Sequence, residues 1–520
     1  MENLRFFLIA LLLLLGFQLW EAWQREYGQQ KGTPSKPHPE AKPPVAQNRV
    51  EVRTDVLRVE IDLDRGGDIR VADLLAYPVE KDKPDQPVRL LTDALPRLHI
   101  TQTGFIDPSH RAPTHRSTWQ AEKRRYRLAE GEQELLVPLT WRGKGLTIQK
   151  TFRFERGSYV VEIDYRLLNG GEEPVEIYSY GQLKRKRPSA RSGFFVRAFQ
   201  GIACHTEEDP FEKYRFSEIQ PDLPLKWETR GGWCAMMQHH FISAWIPPEE
   251  WLNHFYLKAL PEQNYLAGSY GPPLRIGPGE TVSFRVRYYL GPKLQNVIDK
   301  VAPGLELTVD YGIFTFIAKP LFWLLNTFYR LFGNWGWAIV AVTFLIRLLL
   351  YPLAATSFRS MAKMRKLQPR LQEIKEKYGN DKARFQQEMV KLYREEKINP
   401  FGGCLPILLQ IPVFISLYWV LAESVELRHA QFFWIPDLTA ADPYFLLPIV
   451  MGISMWLQQK LSPQPTDPVQ AQMMQIFPIV FTIFFAFFPA GLVLYWTVNN
   501  LFSILQQWWI YRQLEREGLK

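Results

Sequence analysis

Residues Trp335–Leu353 read WGWAIVAVTFLIRLLLYPL, nineteen residues with one charge, Arg347. About 20 apolar residues suffice to cross the ~30 Å hydrocarbon core of a bilayer, so the stretch reads as a membrane span. A guanidinium within a span costs several kcal/mol unless it finds a partner or water. The fold must therefore solve the problem of Arg347.

Whole-chain averages hide this. Across 520 residues, 47% are hydrophobic, 22% are charged and the mean hydropathy is −0.18. Those figures average a polar first part with an apolar last part. The net charge of +9 suits an anionic partner such as lipid headgroups or a ribosome. Three cysteines, Cys204, Cys234 and Cys404, are too few for a disulfide framework or a metal cluster. Cys204 and Cys234 can pair if their part of the chain is extracytoplasmic; otherwise they are two buried thiols.

The N-terminal run LRFFLIALLLLLGFQLW (4–20) is followed by Glu21, Gln24 and Arg25, with no small-residue cleavage site. It predicts an uncleaved signal anchor over 1–25. Residues 26–48, rich in Pro, Gln and Lys, predict a flexible linker. From 49 to 305 the texture becomes period-two alternation: Val59, Ile61 and Leu63 before the turn Asp64-Arg65-Gly66-Gly67, then Leu146, Ile148, Lys150, Phe152 and Phe154. Many such strands between Gly, Pro and Asp predict a large antiparallel β-sandwich.

Beyond it, five apolar segments fall at about 335–356, 404–422, 443–459, 473–488 and 491–510. The connection after the first is dense in Lys and Arg, whereas 423–442 carries Arg428 against Glu423, Glu426, Asp437 and Asp442. Positive-inside counting puts the basic connection in the cytoplasm and the β-domain outside, giving six spans with both termini inside. Residues 306–334 could add a seventh span, but Lys319, Pro320, Asn326 and Arg330 favour an amphipathic helix in the outer interface. Within 357–400, Leu367, Leu371 and Ile374, then Phe385, Met389 and Leu392, follow helical spacing on either side of Gly379-Asn380. That pattern predicts a cytoplasmic helical hairpin, either self-packed or a docking arm. The core ends near 512, leaving a short cytoplasmic tail, 513–520.

Thr343 shares a helix face with Arg347. Gln410 and Thr482 lie in other spans, and the last span carries Thr497, Asn499, Asn500, Ser503, Gln506 and Gln507. Either Arg347 snorkels while the amides hold helices together, or these groups line a hydrated cavity; the crowding of polar groups favours the cavity. The uninterrupted run of the fourth span, Tyr444–Leu457, has 14 residues, and the fifth span, Met473–Phe488, has 16. At 1.5 Å per residue they reach roughly 21–24 Å, short of the hydrocarbon core, which predicts local thinning. No phosphate-binding glycine loop, nucleophile elbow or metal-ligand motif occurs, so no catalytic residue, metal or cofactor is expected.

Four stretches together, Asn399–Pro412 (NPFGGCLPILLQIP), Thr343–Leu353 (TFLIRLLLYPL), Met361–Pro369 (MAKMRKLQP) and Phe488–Trp496 (FPAGLVLYW), resemble the YidC/Oxa/Alb membrane protein insertase family in order and spacing. The resemblance implies a periplasmic β-supersandwich, a five-helix core and a groove open to cytoplasm and lipid. It makes Arg347 the groove arginine, with Thr343, Gln410, Asn499, Asn500 and Ser503 around it. It places a substrate slide on Ile411, Pro412, Phe414, Phe484, Phe488, Tyr495 and Trp496. Trp496 stands where some members have Tyr. Implied partners are nascent membrane proteins, the Sec translocon, the ribosome, the signal recognition particle receptor and membrane lipids, with no specific nucleic acid. The implied location is the bacterial inner membrane. Two other readings compete: a small-anion transporter using Arg347, disfavoured by the lack of an inverted repeat, and an envelope-binding β-domain with the spans as anchor.

Overall fold

The computed structural model describes residues 48–188, 199–221, 225–378, 381–396, 405–461 and 468–516. The expected signal anchor, nearly all of the linker, and Asn399–Cys404 of the resemblance lie outside them. The chain divides into two compact units, one ending at Pro292 with Asp299–Leu305 added, the other comprising Lys293–Ile298 and Glu306 onward.

The first unit is β-rich. Among the described residues, one sheet has nine strands in the spatial order Glu212–Arg215, Gly201–His205, Trp233–Met237, Phe241–Ile246, Thr281–Pro292, Val160–Asn169, Leu146–Glu155, Glu134–Gly143 and Gln120–Ala121. A second runs Leu225–Arg230, Leu252–Leu260, Asn264–Ile276, Val175–Lys186 and His99–Ile106. Side chains from the two sheets interlock. Gly181 leaves room for the Trp245 ring, which a Cβ there would approach to 2.2 Å. Trp245 in turn donates from its indole N–H to Ser269 Oγ at 2.9 Å. A third, five-stranded sheet carries Leu57–Asp62 and Asp68–Pro78 on either side of the Asp64–Gly67 turn.

Alternation becomes burial here. On Leu146–Glu155 the residues Leu146, Ile148, Lys150, Phe152 and Phe154 all face inward. Lys150 is fully buried among apolar neighbours, and its ammonium donates to Asp68 Oδ1 (2.7 Å), Thr103 Oγ1 (2.7 Å) and the carbonyls of Gly66 and Gly67 (3.1 and 2.8 Å). Cys204 and Cys234 sit opposite one another on paired strands and form a disulfide, with Cα atoms 4.2 Å apart. A disulfide suits an oxidising compartment.

The second unit is helical: α1 (Thr315–Phe332), α2 (Trp335–Leu349), α3 (Tyr351–Lys366), α4 (Gln368–Tyr378), α5 (Lys382–Glu395), α6 (Leu405–Glu423), α7 (Leu446–Leu461), α8 (Pro468–Phe485) and α9 (Ala490–Arg516). Gly333 ends α1 in the left-handed region at φ 64°, and Asn334 caps α2 by accepting from the Trp337 N–H. The apolar run expected as one span over 335–356 is two helices, α2 and α3, bent by 67°. The break falls at Leu350, because Pro352 has no N–H to extend the ladder and its ring crowds the preceding turn. Among the described residues no single helix is both long and apolar enough to cross a membrane; this bent pair together has the length and composition of a broken span or a re-entrant loop. The expected count of six spans is therefore not read from helix length alone.

Helices α4 and α5 pack along the seam Leu367, Leu371 and Leu392, joined by Met364, Ile374, Met389 and Tyr393. The hairpin's apolar face is thus turned inward on itself. Helix α1 buries Ala318, Leu321, Phe322 and Leu325 and exposes Phe316 and Trp323. After α6, the short turn Val425–Leu427 meets the segment Lys293–Ile298: the Gln295 N–H donates to Glu426 Oε1 at 3.4 Å, and Lys293 lies 3.8 Å from Glu423. Burial pushes the Glu426 carboxyl up to about 7, its two backbone hydrogen bonds only partly opposing the shift.

Candidate functional site

Arg347 occupies the last turn of α2, where backbone carbonyls lack helical partners and a cation is favoured by the helix dipole. It is 9% exposed. Its Nε donates to Asn499 Oδ1 at 2.6 Å, and one Nη donates to the Asn499 carbonyl at 3.3 Å and to Gln410 Oε1 at 3.5 Å. Gln410 donates from its own amide to Asn499 Oδ1 and to the Tyr495 hydroxyl (3.3 Å). Gln506 Nε2 reaches the Arg347 carbonyl at 3.4 Å. Among the described residues no carboxylate pairs with Arg347, and its Nη1 has no hydrogen-bond partner. A charge in this position is solvated by neutral amide dipoles, which leave its positive field uncancelled.

Of the residues the sequence gathers around Arg347, the structure brings Gln410 and Asn499 into direct contact with it. Thr343 is buried and donates back to the Ile339 carbonyl at 2.7 Å; Ser503 likewise donates to Asn499 O at 2.9 Å. Asn500 turns elsewhere, its amide donating to Ser454 Oγ on α7 at 3.1 Å. Gln507 binds the Leu461 carbonyl (3.0 Å) and the Tyr511 hydroxyl. The polar half of α9 therefore splits by helical angle, with Asn499 and Gln506 toward Arg347 and Asn500 and Gln507 away from it. Ser454 escapes sequence reasoning, and its one signal is a hydroxyl two residues after Gly452 in an otherwise apolar run. Gly452 is small because a Cβ would meet Thr482 Oγ1 at 2.0 Å.

The expected slide residues form an aromatic seam. Phe414 on α6 lies edge-on to Trp496 (5.0 Å between centroids) and 6.2 and 6.3 Å from Phe485 and Tyr495. Phe484 and Phe488 are 4.8 Å apart. Ile411 is 46% exposed, one residue from Gln410 and three from Phe414. Tyr495, placed in the slide by resemblance, also reaches the polar set through Gln410. The Trp496 indole N–H is buried without a hydrogen-bond partner among the described residues.

Residues 49–324 match the YidC periplasmic domain, and residues 327–517 match the 60Kd inner membrane protein family. The chain is 49% identical to the membrane protein insertase YidC of Methylococcus capsulatus, covering 99% of each chain. This chain belongs to the YidC family. The YidC of Nitrosococcus oceani is 45% identical over the full length of both chains. A crystal structure of an active YidC insertase, with its first transmembrane domain resolved, aligns over 88% of this chain and 92% of its own at 20% identity and a TM-score of 0.40. Family membership accounts for two dissimilar units on one chain, since each half matches its own part of the family.

Proposed function

We propose that the chain is a membrane protein insertase of the bacterial inner membrane, with the β-rich unit in the periplasm and six spans whose termini lie in the cytoplasm. Its substrates are nascent membrane proteins, and its work is transfer of peptide rather than covalent chemistry. One observation carries the mechanism: a buried arginine is held by amides and faces no acid among the described residues. Arg347 attracts the carboxylates of a substrate's extracytoplasmic tail, and Gln410 and Asn499 keep its fork oriented. The Asn499–Gln410–Tyr495 amides and hydroxyl offer alternative partners to a passing backbone, lowering the cost of unsatisfied peptide groups.

The apolar segment that follows the tail runs along Ile411, Pro412 and Phe414 and along Phe484, Phe488, Tyr495 and Trp496. Burial of that segment in lipid drives completion. Helices α7 and α8 have 16 and 18 residues; at 1.5 Å per residue they reach about 24 and 27 Å, which supports a thinned bilayer beside the groove. The protein works alone or with the Sec translocon, and its basic hairpin faces the ribosome and the signal recognition particle receptor.

Complementation of a depleted strain tests this. Insertion of a single-span substrate with an acidic N-tail is followed with wild type, Arg347→Lys and Arg347→Ala. Insertion is expected to fall about tenfold or more in Arg347→Ala, the scale of one desolvated charge-assisted contact. Undiminished insertion in both variants refutes the docking role of the charge.

A further inference from the structure

The turn Asp64-Arg65-Gly66-Gly67 frames a cavity of about 400 Å³ in the β-rich unit, lined by Arg65, Arg70, Gln102, His115, Arg116 and Lys184, with Asp64 and Asp93. Arg70 is the unusual member. It is 3% exposed, yet among the described residues its one side-chain hydrogen bond donates from Nη2 to the Arg65 carbonyl at 2.9 Å. Its Nε is buried with no partner, and no carboxylate pairs with it among the described residues. A buried, unpaired guanidinium is costly unless something completes it.

Most nearby acids are already engaged. Asp68 is held by Lys150 at 2.7 Å and by the Thr103 backbone N–H and hydroxyl at 2.9 and 2.7 Å. Asp93 pairs with Arg49, whereas Asp64 accepts from the neutral Asn48 Nδ2 at 2.6 Å and keeps its charge as the one uncommitted acid of the lining among the described residues. Arg116 and Lys184 have no ion-pair partner among the described residues, and Arg65 stands 4.0 Å from Asp62. Cations therefore outnumber uncommitted acids around one open cleft. Burial pushes Arg70 below its usual value, against the pull of Asp68 and Asp62, and burial pushes His115 down as well. The ring thus supplies a hydrogen-bonding wall near neutral pH rather than a further charge.

The site is also rigid. Gly66 and Gly67 take φ of +81° and +56°, and a Cβ at Gly66 would meet Asp68 Oδ2 at 2.6 Å and His115 Cα at 2.7 Å. Lys150 draws both glycine carbonyls toward itself, at 3.1 and 2.8 Å, which fixes the turn between Arg65 and Arg70. We propose that this cavity binds a phosphate group, with Arg70 as its buried anchor and Lys184 and Arg116 at its rim. Several converging cations suit a dianion or phosphate ester better than a single carboxylate, and the planar fork of arginine matches its oxygens.

The test uses the full-length protein. In detergent, at ionic strength held constant with chloride, inorganic phosphate and glycerol 3-phosphate are titrated by calorimetry and by their effect on the unfolding temperature. In a second arm, nanodiscs of phosphatidylglycerol are compared with nanodiscs of phosphatidylcholine. Wild type is expected to bind or be protected, Arg70→Met to lose affinity about tenfold or more, and Lys184→Gln to lose several-fold. Lys258→Gln, which removes an exposed charge elsewhere on the unit, should match wild type. Protection by the soluble phosphates identifies a free anion or soluble ester; protection by phosphatidylglycerol alone, lost in Arg70→Met, identifies a lipid headgroup. Equal behaviour of wild type and Arg70→Met in both arms overturns the site. If Arg70→Met does not fold, Lys184→Gln carries the decision: affinity equal to that of Lys258→Gln overturns it.

Discussion

Lys150 and Arg347 are both buried cations, and the two units treat them in opposite ways. Lys150 is closed on every side: an aspartate neutralises it, and its three N–H protons are shared among that carboxylate and three further oxygens. Arg347 is solvated but not neutralised, with amide oxygens at its Nε and one Nη and no acid nearby among the described residues. The first arrangement spends its charge on holding a turn in place. The second leaves charge to act on something that arrives. Burial of a basic side chain thus says nothing about function until its counterion is identified.

The sharpest way to break this contrast is to give both sites the same substitution. Lys150→Met leaves Asp68 buried and unpaired, and should destabilise the β-rich unit by about 3–5 kcal/mol in a denaturant titration. Next in size is Glu426→Gln, whose carboxyl is raised to about 7 by burial. A raised carboxyl makes the folded state bind protons more tightly than the unfolded chain. Stability from this group is therefore full below the ordinary carboxylate range and declines as pH rises through about 7. Glu426→Gln should flatten that decline in a plot of unfolding temperature against pH, gaining about 3 kcal/mol at pH 8. Lys293 and Glu423 flank the site, so the same slope measured in Lys293→Met would reveal their contribution.

Arg347→Met should change stability by only about 1 kcal/mol or less, because Gln410 and Asn499 can still bond to each other. A loss as large as that of Lys150→Met would erase the distinction between a stored charge and a working one. The smallest effect is expected from Asn500→Ala, which removes one interhelical bond to Ser454 and should cost about 0.6 kcal/mol. Insertion of the acidic-tailed substrate by Asn500→Ala should stay near wild type, since the amide faces α7 rather than Arg347.

Much of the fold was legible because period-two alternation reports burial directly. Leu146, Ile148, Phe152 and Phe154 announced their inward face, and Lys150 shared their register. The same alternation could not say that Lys150 would meet Asp68, 82 residues away. Apolar length located the helices, but the break at Leu350 came from Pro352 acting within a run that hydropathy reads as continuous. Composition marked α9 as polar on its C-terminal half, whereas rotation about the helix axis decided which of Asn499 and Asn500 faced Arg347.

By itself, then, the sequence determined the two-part character of the chain, the alternating strands, the helical segments and the single charge within the apolar run. These follow from local periodicity and from the cost of placing charge in lipid. Tertiary structure alone decided partners: aspartate for Lys150, amides for Arg347, and no acid among the described residues for Arg70. Partners depend on which distant segments converge, and an isolated strand or helix carries no record of that.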